Sequence, residues 1–367
     1  MSCAAHSNNS LLIPVTLVTG RDREALTRII NRLIRFAGKI GTDILAVRVN
    51  GIAEVPVHDL VEAISSEIEH APSRLIVEIP SSVACATATA LFQPHPDAPG
   101  RLFQKAFVQT VIATVNAESF IKTFFDNENV YWDESESLLE QVENANCILL
   151  ETSDDAVPNN RAVELITLLN PSAELFRSGD SEAFEQCVLE KPGLQNWIAK
   201  GGSGWLRLLV ARGTSASSTG FVFRSRLPFH PQRLWEALDG PLRDIFRMKG
   251  LFWIASRMSS VGMLDRVGVH NFTRFEGTWW ASIPREKWPG NLTIRASIER
   301  SWEGPFGDRR QEIAIIDPTL DRAACEQVLN SCLLSSDELL EGTDKWLNIP
   351  NPFNPRTFER PKNQWSE

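Results

Sequence analysis

Apolar and polar positions follow two different registers along this chain. In the first half, short continuous apolar runs alternate with segments of helical period. LLIPVTLVTG (Leu11–Gly20) is an unbroken apolar run ending in glycine, the pattern of a strand buried on both faces that enters a turn. REALTRIINRLIRFAGK follows, with Leu26, Ile29, Ile30, Leu33 and Ile34 at helical spacing and Gly38 as the expected stop. DILAVRVNG (Asp43–Gly51), PSRLIVEIPSS (Pro72–Ser82), the start of VQTVIATVNAESFIKTF (Val108–Phe124) and the apolar core of LLEQVENANCILLETSDD (Leu138–Asp155) repeat the strand pattern. RAVELITLLNPSAELFRS (Arg161–Ser178) predicts a helix and then a strand. Strands alternating with helices imply a mostly parallel sheet covered by helices on both faces, with right-handed crossovers.

The register changes after residue 178. KGGSG (Lys200–Gly204) and RGTSASSTG (Arg212–Gly220) have the composition of flexible connectors, and WLRLLVAR between them fits either a strand or a short helix. From Phe221, FVFRSRLPF alternates as an edge strand does, and PQRLWEALDGPLRDIF is an amphipathic helix with Leu234, Trp235 and Leu238 on one face. LFWIASR, FTRFEGTWWASI, NLTIRASIERSW and RQEIAIID read as antiparallel strands, and DRAACEQVLNSCLLSSDELLEG as a closing helix and turn. The expected organisation is a mobile N-terminus over 1–10, an α/β domain over 11–215, a smaller α+β domain over 219–346 and a tail over 347–367.

Composition narrows the picture. The chain has 367 residues, long enough for two cores, and is 43% hydrophobic and 23% charged, as ordinary globular proteins are. A net charge of −9 argues against a sequence-independent nucleic-acid binder, which needs a basic face. No apolar run is long enough to span a membrane, and MSCAAHSNNS lacks the basic-then-apolar pattern of a secretory signal, so a cytoplasmic location is expected. The six cysteines are scattered without CxxC spacing and read as buried thiols; Cys325 and Cys332 could share a helix face, too few ligands for a structural zinc site.

Four blocks in order, LPFHPQRLWEAL (Leu227–Leu238), RMKGLFWIASRMSSVG (Arg247–Gly262), WWASIPREKWP (Trp279–Pro289) and GPFGDRRQEIAII (Gly304–Ile316), resemble the C-terminal domain of the CobW family. The likeness covers about 125 residues, with Gly250, Phe252, Trp253, Arg257, Trp280, Gly307, Asp308, Arg309, Arg310 and Gln311 in matching places. The family consists of P-loop GTPases acting as metallochaperones or metal-insertion factors. The resemblance therefore implies a P-loop GTPase-like first domain, GTP and magnesium as cofactors, and zinc, cobalt or iron as cargo. It implies a client metalloenzyme as partner; in the alternative, a non-catalytic scaffold or regulatory protein, the partner would be an intact paralogue.

The nucleotide motifs are altered. A P-loop reads GxxxxGK[ST]: its glycines let backbone N–H groups curl round the phosphates and its lysine adds a positive charge. Here the register is Gly20-Arg21-Asp22-Arg23-Glu24-Ala25-Leu26-Thr27. Gly20 and Thr27 remain; Ala25 and Leu26 replace the second glycine and the lysine. Asp22 and Glu24 put carboxylates where phosphate would sit, a repulsion of roughly 3 kcal/mol at about 5 Å and an effective dielectric near 20, which Arg21 and Arg23 could offset as phosphate contacts. Gly38-Lys39 lies at the far end of the helix and is no cradle.

Further along, VNGIAEV (Val49–Val55) keeps Asn50 and Glu54 of the family's VNDxxEV, but the CxCC motif that supplies thiolates is missing. His58, Glu62 and His70 occupy that region at a spacing that suits a solvated helix face better than a metal site. Glu78 matches the family's third-strand motif, whose glycine is replaced by Ser81 while Pro80 removes a donor. Asn116 stands for the Asp of VVDAxxF. The NKxD base-reading motif is Glu151-Thr152-Ser153-Asp154, so only Asp154 is kept. These changes point to a pseudo-GTPase: a kept fold whose hydrolysis is weak or absent.

In the second domain, eight of the eleven tryptophans follow residue 230, which fits core packing or a partner surface. His230, Arg257, Trp280, Asp308, Arg309 and Arg310 are the candidates for such a surface. His230 reads first as a turn residue, and Asp308 with Arg309 and Arg310 as either a surface ion pair or a fork for a partner carboxylate.

Overall fold

The computed structural model describes residues 12–48, 55–94, 99–125, 132–179, 182–190, 202–211 and 218–353, with the single positions 194 and 198. The expected mobile N-terminus and most of VNGIAEV lie outside the described residues. The chain divides into two units, Met1–Arg207 and Leu208–Glu367.

The first unit is built on a six-stranded parallel sheet in the order β2-β3-β1-β4-β5-β6. Its strands are β1 (Ile13–Gly20), β2 (Ile44–Val47), β3 (Arg74–Glu78), β4 (Ala106–Asn116), β5 (Cys147–Glu151) and β6 (Glu174–Arg177). Between them run α1 (Arg23–Lys39), α2 (Val57–Ile68), α3 (Cys85–Ala90), α4 (Ala117–Phe125), α5 (Trp132–Asn144) and α6 (Ala156–Leu169), and α7 (Ala183–Glu190) follows β6. Val18, Ile76, Ile112 and Leu149 form one core with Leu26, Ile29, Ile30 and Leu33 of α1 and Phe184 of α7. Leu17, Leu75, Val111 and Ile148, of the opposite parity, are equally buried. Burial on both faces is why these strands read as unbroken apolar runs. The result is the mostly parallel sheet with helices that the alternation of strands and helices implies.

Two details correct the sequence reading. The stop of α1 is not Gly38, which is helical, but Gly41 at φ +70. There Thr42 N–H bonds to Ala37 O (2.9 Å) and Gly41 N–H to Gly38 O (3.4 Å), the paired closure of a left-handed helix cap. WLRLLVAR, left open between strand and helix, forms α8 (Gly204–Val210).

The second unit holds a five-stranded antiparallel sheet in the order β10-β9-β8-β11-β7. Its strands are β7 (Gly220–Ser225), β8 (Arg247–Phe252), β9 (Ser260–Val267), β10 (His270–Thr278) and β11 (Gln311–Ile316). β7 is a terminal strand, as its alternation predicts. Helices α9 (Pro231–Asp239), α10 (Leu292–Ser301) and α11 (Arg322–Cys332) complete the unit with the short α12 (Ser336–Leu340) and α13 (Thr343–Trp346). Phe221, Phe223, Met248, Phe252, Ile313 and Ile315 pack against Leu234 and Leu238 of α9 and Leu329 of α11. Cys325 and Cys332 do share a face, and it is buried in this core as free thiols.

NLTIRASIERSW is not a strand. Asn291 caps a helix there, accepting from Thr293 N (2.9 Å) and Ile294 N (3.3 Å), and Ile298 is its buried residue. The alternation of Leu292, Ile294 and Ala296 misled because all three are exposed. SSVGMLDRV, not read as a strand in the sequence, supplies β9 between β8 and β10. The packed chain also runs beyond residue 346, where the sequence places a tail: Phe353 is 2% exposed and inserts among Trp235, Phe252 and Phe275.

Candidate functional site

In an open parallel sheet, ligands bind beyond the carboxyl ends of the strands, where the strand order reverses. Here that edge carries Gly20 of β1, Glu78 of β3, Asn116 of β4 and Glu151 of β5, held in line by parallel pairing of β1 with β3 and β4, and of β4 with β5. Of the sequence candidates of the first unit, four lie together near this edge, and Thr27 and Asp154 do not line the same cleft. Gly20, Arg21, Arg23 and Glu78 line one cleft of about 200 Å³ with Ser81 and Ser82. That is below the roughly 300–1000 Å³ of pockets that enclose a ligand of nucleotide size.

The helix N-terminus beside the cleft is the natural anion site, because its first N–H groups have no partner within the helix. Asp22 has taken that position. Its Oδ1 accepts from Glu24 N (2.8 Å) and Ala25 N (3.2 Å), capping α1. Only Arg21 and Asp22 separate β1 from the helix, so Glu24-Ala25-Leu26-Thr27 is helical rather than a loop. Leu26, where the lysine would stand, is 3% exposed and packs in the core. Thr27 is half-buried on the helix. Gly20 itself has a packing reason: a Cβ there would meet Thr114 Oγ1 of β4 at 1.9 Å.

The base-reading side is also occupied. Arg28 of α1 bonds to Glu151 Oε1 (2.9 Å) and lies 3.9 Å from the carboxylates of Asp22 and Glu24. Asp154 is exposed on the following turn, where the Asn159 side chain accepts from Ser153 N (3.1 Å) and donates to Ser153 O (2.7 Å). Glu78 faces Arg48 at 3.6 Å. A nucleoside triphosphate with magnesium does not fit these residues: the Glu24 and Ala25 N–H groups are capped by Asp22, the residue in the lysine's place is a core leucine and the cleft is small. The cap was readable in principle, since an Asp one residue before an apolar helix is a start signal. The Arg28–Glu151 bridge joins residues 123 apart and had no such signal.

The candidates in the second unit divide. His230 is the N-cap of α9: its Nδ1 accepts from Arg233 N (3.4 Å) and its N–H donates to Cys332 O (2.8 Å). Burial, with Arg233 nearby, lowers its pKa, which keeps the accepting neutral ring. Asp308 is 4% exposed and accepts from Trp280 N (3.0 Å) and Ala281 N (2.8 Å). Arg309 is not a fork for a partner carboxylate. It donates to Met258 O (2.6 Å), Phe306 O (3.2 Å) and Ser282 Oγ (2.7 Å) and lies over Trp253. Arg310 bonds to Glu312 (2.9 Å), and Arg257 sits 4.6 Å from the Phe275 ring centre. Trp253, Trp279, Trp288 and Trp346 are buried, so core packing accounts for half of the eight late tryptophans.

No group of three or more His, Cys, Asp or Glu among the described residues is placed to hold a metal ion. His58 pairs with Glu62 (3.1 Å) on an exposed face of α2, and His70 lies 3.8 Å from Glu67. No helix among the described residues is long and apolar enough to cross a membrane.

A six-stranded parallel sheet in one unit and a five-stranded antiparallel sheet in the other define the architecture. Residues 218–333 match the cobalamin synthesis protein cobW C-terminal domain. It is 34% identical over 228 residues, 59% of its length, to the zinc-regulated GTPase metalloprotein activator 1 of Dictyostelium discoideum, of which 47% is covered. It is 32% identical over 132 residues, 36% of its length, to a zinc chaperone of Mycobacterium tuberculosis, of which 33% is covered. The chain thus spans about half or less of the curated relatives it matches. The zinc-bound YjiA GTPase of E. coli aligns with 88% of this chain and 99% of its own, at 14% identity and a TM-score of 0.36, too distant to bear on function.

Proposed function

We propose that this protein is a metalloprotein activator that engages a client and assists its loading with metal, without turning over GTP. The metal role rests on the relatives: one is named a zinc-regulated metalloprotein activator and another a zinc chaperone, so zinc is the favoured cargo. The observation that carries the pseudo-GTPase half of the reading is Asp22, whose carboxylate occupies the helix N-terminus that would receive phosphate. Arg21 and Arg23 then serve the cleft surface rather than a phosphate, and Gly20, Thr27, Glu78 and Asp154 are remnants kept by packing and solubility.

The test is calorimetric titration of chelator-treated protein with GTP and a non-hydrolysable analogue in the presence of magnesium. The expected outcome is no binding at millimolar nucleotide, with zinc bound at stoichiometric level in a parallel titration. Micromolar nucleotide binding would overturn the pseudo-GTPase reading. Absence of zinc binding, with client maturation unchanged by deletion of the protein, would overturn the metal role.

A second reading is favoured by the lack of a metal-ligand cluster among the described residues. In it the protein is a non-catalytic scaffold or regulatory partner, and complexes with its partner form equally well with or without GTP and zinc.

A further inference from the structure

A cleft of about 1040 Å³ in the second unit lies against β7, the start of β11 and the last turn of α10. Its charged lining consists of Arg224, Arg226, Arg300 and Arg310 with Glu303 and Glu312. Four guanidinium groups against two carboxylates leave two positive charges in excess, on a chain whose net charge is −9. One carboxylate is shared: Glu312 accepts from Arg224 Nε (3.1 Å) and from Arg310 Nε (2.9 Å). Arg226 is held rigidly, bonding to Glu303 (2.8 Å) and to the backbone oxygens of Ser301 (3.1 Å), Gly307 (3.3 Å) and Arg309 (3.3 Å). Arg300 bonds through Nε to Ala296 O (3.2 Å), and among the described residues no carboxylate pairs with it.

The lining also selects the kind of anion. Leu209 is the one aliphatic side chain among the lining residues and none of them is aromatic, so the lining is dominated by charged and polar groups. The volume far exceeds a single phosphate or carboxylate and suits several residues of extended chain. Among the described residues β7 is the terminal strand of its sheet, with Arg224 also donating to Leu209 O (3.2 Å), and terminal strands are places where an extended peptide can add. Arginine clusters are the usual partners of acidic segments because each guanidinium can bond a carboxylate through two N–H groups.

We propose that the cleft between β7 and α10 binds an extended acidic segment of a partner protein, with Arg300 and Arg224 contacting its carboxylates. The proposal is independent of whether the partner is a client that receives metal. Because the chain as a whole is acidic, attraction is confined to the cleft and is screened by salt.

The experiment is fluorescence anisotropy of the full chain with labelled deca-glutamate, and deca-glutamine as the uncharged control. Saturable binding of deca-glutamate is expected, weakening as salt rises. Arg300→Glu and Ser297→Glu, both at exposed positions on α10, are each expected to weaken it by about 10-fold or more, the equivalent of about 1.4 kcal/mol. Thermal unfolding of both variants should match the parent. Failure of deca-glutamate to bind, equal binding of deca-glutamine, or unchanged affinity in both variants would each overturn the proposal. So would inorganic phosphate binding as tightly as the peptide and displacing it, which would assign the cleft to a free oxyanion.

Discussion

At the residue scale, the consequential substitution is the acid at position 22. A helix N-terminus gains from an accepting side chain whether that chain is its own or a ligand's, and Asp22 is always present at full effective concentration. Asp22→Ala is expected to cost about 1 kcal/mol, within the roughly 0.5–2 kcal/mol range for lost N-caps, measured by urea denaturation. The proposed lack of GTP binding should not be reversed in that variant, as read by the same calorimetric titration, because Leu26 and the two-residue turn are untouched.

A second residue-scale prediction concerns Arg247, which is fully buried and donates to Asp265 and to Arg266 O (2.8 Å). Burial alone would raise the Asp265 pKa, but Arg247 and Lys249 together bring it below the ordinary value. Asp265→Ala strands the buried guanidinium and should destabilise the protein by about 3–5 kcal/mol in denaturant melts.

Glu338 gives the clearest pH signature. The bidentate bond from Arg233 (2.7 and 2.8 Å) outweighs burial and holds its pKa down to about 2. An unfolded Glu titrates near 4.3, so the stabilisation is fully present above about pH 4.3 and is lost as pH falls toward about 2. Thermal melts of Glu338→Gln should therefore lie below the parent at neutral pH and converge with it in acid.

At the scale of elements, the chain beyond α13 belongs to the fold. Phe353 meets Trp235, Phe252 and Phe275 with ring centres 5.2, 5.9 and 6.2 Å away, which joins the last described residue to α9, β8 and β10. Phe353→Ala should cost about 3–5 kcal/mol, as large-to-small changes of buried aromatics do, and truncation at residue 346 should cost at least as much, both read from chemical denaturation. Element type was legible wherever burial set the pattern. α1 showed its helical stripe because one face meets the sheet, and β1 showed an unbroken run because both faces are covered. It was illegible where burial is slight: α10, with Ile298 as its buried residue, carries no stripe for the sequence to display. β9 was hidden for a different reason, since Gly262, Asp265 and Arg266 interrupt its apolar positions while Arg266 is satisfied internally by Leu238 O (2.6 Å) and Arg243 O (2.7 Å).

At the scale of the whole molecule, each unit has its own sheet and its own core. Residues 208–353 expressed alone are expected to fold and to unfold cooperatively, as read by circular dichroism; a non-cooperative melt would show that this core depends on the first unit.

The sequence by itself determined the alternation of buried strands and helices, the resemblance of the second unit to the CobW C-terminal domain and the departure of Gly20–Thr27 from the P-loop pattern. Those follow from local periodicity and from residue types at fixed spacing. Tertiary structure alone decided that Asp22 caps α1, that Thr114 packs against Gly20, that Arg309 and Asp308 face inward, and that arginines near β7, β11 and α10 share a cleft. Each of those depends on distances between residues far apart in the chain, and hydrophobic pattern carries no record of such distances.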